Sequence, residues 1–307
     1  MKRVLITGGA GYIGTALVDA LAASGEPMAI TVYDNLSRGH RNFFLGPRFP
    51  DTVSVRFVRG DILDTRRLAG AVRDADVVVH LAARASTPFA NDDPHLFEQV
   101  NHWGSAELSY LLEASPAHLV ALSSTSVYGG GAGAVGHGAP TRPQTWYGKS
   151  KLRGEQMLAR LQEEMPVHIL RCGNVYGYSR SMRFDAVINR FVFEAHHAGR
   201  ISVHGNGEQG RAFIHVDHVA AALSRLVLGD GLPSGTYDLI DRNLSIMEIA
   251  TALQSLLPDL EMLFIEQDMT RRNLLVKPDF RVMDRGYFQQ RPFIEELQEF
   301  LSRFSMP

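Results

Sequence analysis

A single cysteine, Cys172, stands in the 307 residues of this chain, and only four of its 31 basic residues are lysines. One thiol excludes an internal disulfide and fits a reducing compartment. No apolar stretch approaches the length of a membrane span. The opening MKRVLITGG runs straight into a strand and a glycine turn, with too short an apolar run for a signal peptide. The formal net charge is −2, with acidic and basic residues mixed along the chain, so no surface for nucleic acid or membrane is indicated. A cytoplasmic protein is expected. Apolar residues at 45% and charged residues at 21% are ordinary globular values, and the length suffices for one large domain or two modest ones.

Short β-branched runs alternate with helical patterns through the first 175 residues. Strands are expected at 4–7, 29–33, 53–59, 77–82, 119–123 and 167–171, several of them apolar on successive residues, as strands covered on both faces are. Helices are expected at 14–24, 65–71, 95–114 and 147–165. This alternation implies an α/β fold, a doubly wound parallel sheet of the Rossmann kind. Beyond residue 175 the pattern loosens into helices at 185–198, 219–228, 245–257 and 292–304 and a strand at 212–216. The expected division is a dinucleotide-binding domain over 1–173, with a returning segment near 211–238, and a smaller C-terminal α/β substrate lobe from 174–210 and 239–307. GGGAGAVGHGAP, 129–140, holds six glycines and reads as a mobile loop, either a surface connection or an active-site flap.

TGGAGYIG, 7–14, follows the first strand and opens the first helix. Its glycines at 8, 11 and 14 suit close approach of backbone to a pyrophosphate, and the helix N-terminus supplies amide donors. Twenty residues beyond Gly14, Asp34 stands where a carboxylate accepts hydrogen bonds from an adenosine ribose. It would repel a 2′-phosphate, which favours NAD over NADP, although Arg38 and Arg41 are within reach of such a phosphate.

Two of the four lysines fall in WYGKSK, 146–151. On a helix, Tyr147 and Lys151 share a face. A phenol titrates near pH 10, and a neighbouring ammonium favours its anion, so Lys151 is expected to pull Tyr147 down into the range of a working base. Upstream, SSTSVYG, 123–129, ends the fifth strand and offers hydroxyls at the edge where a ligand binds. The histidine pairs 215/218 and 196/197 supply too few ligands for a metal site, and none is expected.

Together, TGGAGYIG, YDNLSRG, GDILD, HLAA, VN (100–101), SSTSVYG, YGKSK, GNVYG and RAFIHVD resemble the extended short-chain dehydrogenase/reductase family, in its nucleotide-sugar epimerase/dehydratase branch. The resemblance covers residues 1 to about 220 and fades in the tail. It implies Tyr147 as acid/base, Lys151 as partner of the nicotinamide ribose and Ser124 as catalytic hydroxyl. For the NAD site it implies Gly8, Gly11, Tyr12, Ile13, Gly14, Asp34, Asn35, Ser37, Arg38, Asp61, Ile62, Leu81, Ala82 and Ala83, with Asn101 as a structural or cofactor-site residue. Asn174, Arg211 and Arg272 resemble ligands of a nucleotide diphosphate, for which an arginine fork is suited. Family members often pair through the helices corresponding to 95–114 and 147–165, so a homodimer is implied.

In the 4,6-dehydratases of this family the catalytic hydroxyl is followed by Asp and Glu. Here Thr125 and Ser126 follow it, and hydroxyls cannot replace a carboxylate pair in an elimination. Tyr178 replaces the proline common after NVYG. The resulting expectation is an NAD-dependent 4-epimerase acting on a nucleotide-diphosphate sugar. A reductase on the same triad and a non-catalytic dinucleotide sensor share the fold.

Overall fold

The apolar runs of the N-terminal half become strands because most are buried on both faces; the run Val53–Arg59, at the sheet edge, exposes Ser54, Arg56 and Arg59. In a computed structural model that describes residues 1–304 other than 40, 47, 86–92, 132 and 266–272, they are β1 (Lys2–Thr7), β2 (Met28–Asp34), β3 (Val53–Arg59), β4 (Val77–His80), β5 (His118–Ser124) and β6 (Val167–Cys172). Along β1, Val4 and Ile6 pack with Leu17, Val18 and Leu21 of the helix Tyr12–Ala23 and with Val219 and Leu223 of the helix Val216–Leu228. Leu5, between them, faces the other way, into a layer with Leu68, Leu108 and Leu158. That layer comes from the helices Thr65–Val72, Gly104–Leu112 and Trp146–Ala159. The period-2 alternation of a strand thus feeds two cores.

Downstream come β7 (Asn174–Tyr176), β8 (Arg200–His204), β9 (Gly210–His215), β10 (Gly235–Leu239), β11 (Arg242–Ser245) and β12 (Glu261–Ile265). The main sheet runs β10-β6-β5-β4-β1-β2-β3 with every pairing parallel. Sheets β11-β9-β7 and β12-β8, with the helices Val187–Ala198, Ile246–Leu256 and Phe293–Leu301, enclose a second core around Phe191, Phe213, Ile249, Leu253 and Leu297. The segment that returns to the main sheet is the helix Val216–Leu228 and β10. The strand expected at 212–216 lies instead in the small sheet, as β9.

Two expectations change. The helix expected at 95–114 is not regular: Pro94–Phe97 and Gly104–Leu112 flank a π-helical stretch, Glu98–Trp103. The glycine-rich loop is not wholly loose. Val135 bridges Val276, donating to Leu275 O at 3.0 Å and accepting from Lys277 N at 2.7 Å, and Gly131 N donates to Asn273 O at 3.1 Å. Backbone bonds do not depend on side chains, so glycine composition hides such pairing. No helix among the described residues is long and apolar enough to cross a membrane.

His80, 3% exposed at the end of β4, lies on the face of the sheet that carries Leu5 and Val78. Its Nδ1 lies 2.8 Å from Thr7 Oγ1 and its Nε2 3.1 Å from Ser105 Oγ. Burial, with the charge of Lys151 adding, pushes its pKa down to about 3. The unfolded chain takes up this proton near pH 6.5, so stability is lost as pH falls from there toward 3, by on the order of 4–5 kcal/mol in all. His118, pushed down to about 4 mainly by burial, adds a smaller loss. Denaturant unfolding at pH 7.5 and 5 is expected to show this slope, and to show it reduced in His80→Asn; an equal slope in that variant would remove His80 as its source.

Candidate active-site cleft

Because the sheet is parallel, the carboxyl ends of its strands share one edge, and the cleft of about 1520 Å³ opens along it. At the end of β1, Gly8 adopts φ +71°, and a Cβ there would lie 2.6 Å from the backbone nitrogen of Ala82. A Cβ on Gly14 would lie 2.5 Å from Gly9 Cα. The first helix begins after Gly11 with no side chain capping it, and Gly11, Tyr12, Ile13 and Gly14 line the cleft. Close backbone plus a helix N-terminus is the arrangement that receives a phosphate.

Asp34 closes β2. Its carboxylate accepts from Ala10 N at 3.1 Å and Leu36 N at 2.7 Å, which fixes it beside the glycine turn, and burial holds its pKa above the usual value. Asn35 donates to Asp61 Oδ2 at 2.8 Å, while Asp61 Oδ1 accepts from Leu63 N at 3.0 Å. Ser37, Arg38, Ile62, Leu81, Ala82 and Ala83 line the same end. The glycine cradle that a Cβ would fill, with a carboxylate anchored beside it, fits the diphosphate and ribose of NAD.

Thr145 caps the Trp146–Ala159 helix, its hydroxyl accepting from Gly148 N at 3.0 Å, and so aims Tyr147 and Lys151 at the end of β5. Tyr147 lines the cleft, packed edge-on by Phe97 with ring centroids 6.0 Å apart. Burial pushes its pKa up; a hydrogen bond with Ser124 and the charges of Arg183 and Arg38 pull the other way. The direction is therefore opposite to the sequence expectation. Low dielectric disfavours the phenolate, and Lys151 Nζ is turned to the carbonyl of Leu122 at 2.6 Å. Burial in turn pushes Lys151 down to about 8, with Glu155 opposing. Ser124 Oγ donates to Ser126 Oγ at 3.1 Å.

At the far end stand Asn174, whose amide donates to Ala212 O at 3.0 Å, and Arg211, which donates to Gly210 O at 3.0 Å. Asn101 does not line the cleft. It is 2% exposed and sits in the π-helical stretch, where it accepts from Arg84 N at 2.8 Å and donates to Arg84 O and Ser150 Oγ, both at 3.0 Å. It thereby ties the chain after β4 to the helix of Tyr147, a role from behind the wall. Arg272 lies outside the described residues. The sequence reading missed Arg84, Arg183, Asp185, Arg190, His204 and Gln209, all on the cleft wall. Of these only Arg183 had a signal, the basic cluster RSMR, 180–183, shortly after GNVYG. Away from the cleft, His218, Asp241 and Glu296 bring one ligand atom each within 4.8 Å, but Arg242 lies 3.1 Å from both carboxylates and supplies the counter-charge.

Residues 4–238 match the model of the NAD dependent epimerase/dehydratase family. Over 265 residues the chain is 29% identical to the dTDP-D-glucose 4,6-dehydratase of Mus musculus, covering 84% of this chain and 74% of that protein. Among solved structures, it resembles DesIV, a dTDP-glucose 4,6-dehydratase from Streptomyces venezuelae with NAD bound, at TM-score 0.85 and 25% identity, covering 98% of this chain and 96% of that one. It also resembles the UDP-N-acetylglucosamine 4-epimerase of Methanobrevibacter ruminantium M1, in complex with UDP-N-acetylmuramic acid, at TM-score 0.84 and 26% identity, covering 98% and 97%. A match spanning the glycine turn, the Tyr147 helix and the strands between them leaves one conclusion about kinship: this chain belongs to the NAD dependent epimerase/dehydratase family.

Proposed function

We propose that the protein is an NAD-dependent nucleotide-sugar 4-epimerase that works through a transient 4-keto sugar. The observation that carries the reading is the chemistry beside Ser124. Thr125 is 2% exposed and Ser126 is the hydrogen-bond partner of Ser124, so hydroxyls stand where the family's 4,6-dehydratases use carboxylates. Among the described cleft-lining residues the carboxylates are Asp34, Asp61 and Asp185. Asp34 and Asp61 belong to the dinucleotide end, and Asp185 is bound to Arg183. A 4,6-elimination needs an acid and a base at neighbouring carbons. Epimerisation needs one acid/base for a single hydroxyl and an anchor that lets the sugar turn.

The chemistry required of bound NAD is to accept a hydride from the sugar carbon and to return it, so the cycle consumes no coenzyme. Tyr147 takes the proton of the sugar hydroxyl and gives it back, and Ser124 orients that oxygen. Proton uptake needs the phenolate form, which Ser124 and the charges of Arg183 and Arg38 favour against burial; Lys151 stands one helical turn away, held charged by Glu155 against the same burial. Arg211 and Asn174, on the small sheet, hold the nucleotide diphosphate while the keto-sugar presents its other face. Arg190 lines the same wall and adds positive charge there.

Incubation with UDP-glucose or UDP-galactose, with no cofactor added, is expected to interconvert the two; turnover only with added NAD(P)H would replace the epimerase with a reductase. Tyr147→Phe is expected to lose about 10²–10⁴-fold in rate while NAD affinity is kept. An unchanged rate in that variant would strip Tyr147 of its role. Gly8→Ala places a Cβ against the Ala82 backbone at a left-handed φ. Calorimetric titration should find its NAD binding lost, with circular dichroism reporting an intact fold; full affinity there would displace the dinucleotide from this turn.

A further inference from the structure

The small lobe meets the dinucleotide end of the cleft through the chain between β7 and the helix Val187–Ala198. This segment is tied to the glycine turn at several points. Tyr12 donates its phenol to Gly177 O at 2.5 Å, and Ser179 Oγ donates to Tyr12 O at 3.1 Å. One turn further along the first helix, Thr15 Oγ1 donates to Ser181 Oγ at 3.0 Å, and Arg180 pairs with Asp19 at 2.6 Å. Asn189, fully buried, joins these contacts together: it accepts from Gly177 N at 3.0 Å and donates to Tyr12 Oη at 3.3 Å and to Arg183 O at 2.9 Å. A single asparagine thus connects the backbone of Arg183 to the phenol of the turn itself.

The Arg183 side chain is one-fifth exposed and lines the cleft, its guanidinium oriented by Asp185 through Nε at 3.0 Å and Nη2 at 2.5 Å. Arg38 lines the same cleft. Burial is the main reason its pKa lies below the ordinary arginine range, and the charges of Arg183 and Arg84 add to that. Arg38, Arg84 and Arg183 thus bring three guanidiniums to the wall of one cleft, a lining suited to an anionic group. A glycine turn at a helix N-terminus is suited to a diphosphate through its backbone amides, and an arginine fork complements such a group.

We propose that Arg183 clamps the pyrophosphate of the bound dinucleotide from the small lobe, facing the glycine turn, with Asp185 as the residue that positions its guanidinium. The proposal rests on the NAD-dependent reading above and deepens it. A reaction that regenerates its coenzyme in every cycle gains from a cofactor held by both lobes, since the same molecule then serves many turnovers. Asp185 acts mainly through Arg183, with a weaker charge effect on Arg38, so its removal should loosen the clamp without abolishing it.

Calorimetric titration of the full chain, freed of nucleotide, with NAD, ADP-ribose and UDP tests the idea. In Arg183→Ala the main-chain bond to Asn189 is retained, and equal melting temperatures check the fold. Affinity for NAD is expected to fall about ten-fold or more, as for loss of a hydrogen bond to a charged group. ADP-ribose, which keeps the pyrophosphate and lacks the nicotinamide, should lose the same factor, UDP should be unchanged, and Asp185→Asn should fall between. Unaltered NAD affinity overturns the clamp. So does a loss confined to NAD, which would put Arg183 at the nicotinamide, or a loss confined to UDP, which would put it on the sugar nucleotide. Failure of the wild-type chain to bind NAD would instead defeat the reading beneath it.

Discussion

The cleft depends on where the chain reverses direction across its sheet. From β1 it steps outward to β2 and β3, then crosses back to lay β4 on the opposite side of β1. The connections after β1 and β4 therefore leave the sheet in divergent directions, and a crevice opens between them at the carboxyl edge. At that seam the backbones of Gly8 and Ala82 come so close that no Cβ fits at Gly8. The other features of the site are arranged along the same edge. Asp34 ends β2, His80 ends β4, Ser124 ends β5 and Cys172 ends β6. Ligand-facing groups from residues far apart in the chain come together because parallel strands all finish on one side.

Burial, more than any one charge, sets the electrostatics of the catalytic end. It favours neutral Tyr147 and neutral Lys151 alike, and the groups that oppose it come from several elements. Ser124 on β5, Arg38 after β2 and Arg183 on the small lobe favour the phenolate, while Glu155, one turn along from Lys151, favours the ammonium. Glu155 is itself held by Arg171 on β6, with bonds of 2.8–3.2 Å. The catalytic pair is thus tuned by a surrounding network. A lysine four residues from a tyrosine is necessary for the face they share and insufficient for the proton affinity they show.

Much of this architecture was readable in local patterns. Most of the six N-terminal strands were visible because strands covered on both faces are continuously apolar, the edge strand β3 because it alternates, and the glycine turn because backbone proximity excludes side chains. Strands such as β7, β8, β11 and β12 were not visible. They are short, three to five residues, and lie in small sheets outside the main one; β8 does alternate, with Ile201 and Val203 buried, but five residues are too few for the pattern to stand out. The glycine-rich loop misled for a related reason: its pairing with residues 273–277 runs through amides and carbonyls that composition does not record. Asn101 could be structural or at the cofactor site by its motif and braces the chain from behind the cleft wall, because a motif fixes a residue's place in the chain and says nothing of which side of a wall its amide occupies.

What the sequence determined alone was the chemistry tied to spacing: a phosphate-binding turn, an acid twenty residues on, a tyrosine and lysine on one helical face, and hydroxyls in place of a carboxylate pair. These are short-range properties, set by backbone geometry and residue type within a few turns. Only the tertiary structure decided that Arg183 lines the cleft, that Tyr12 joins the two lobes and that burial lifts the phenol. Each of those depends on groups scores of residues apart meeting in a low-dielectric space. That space is created by packing, so the energies of charge within it have no counterpart in the linear chain.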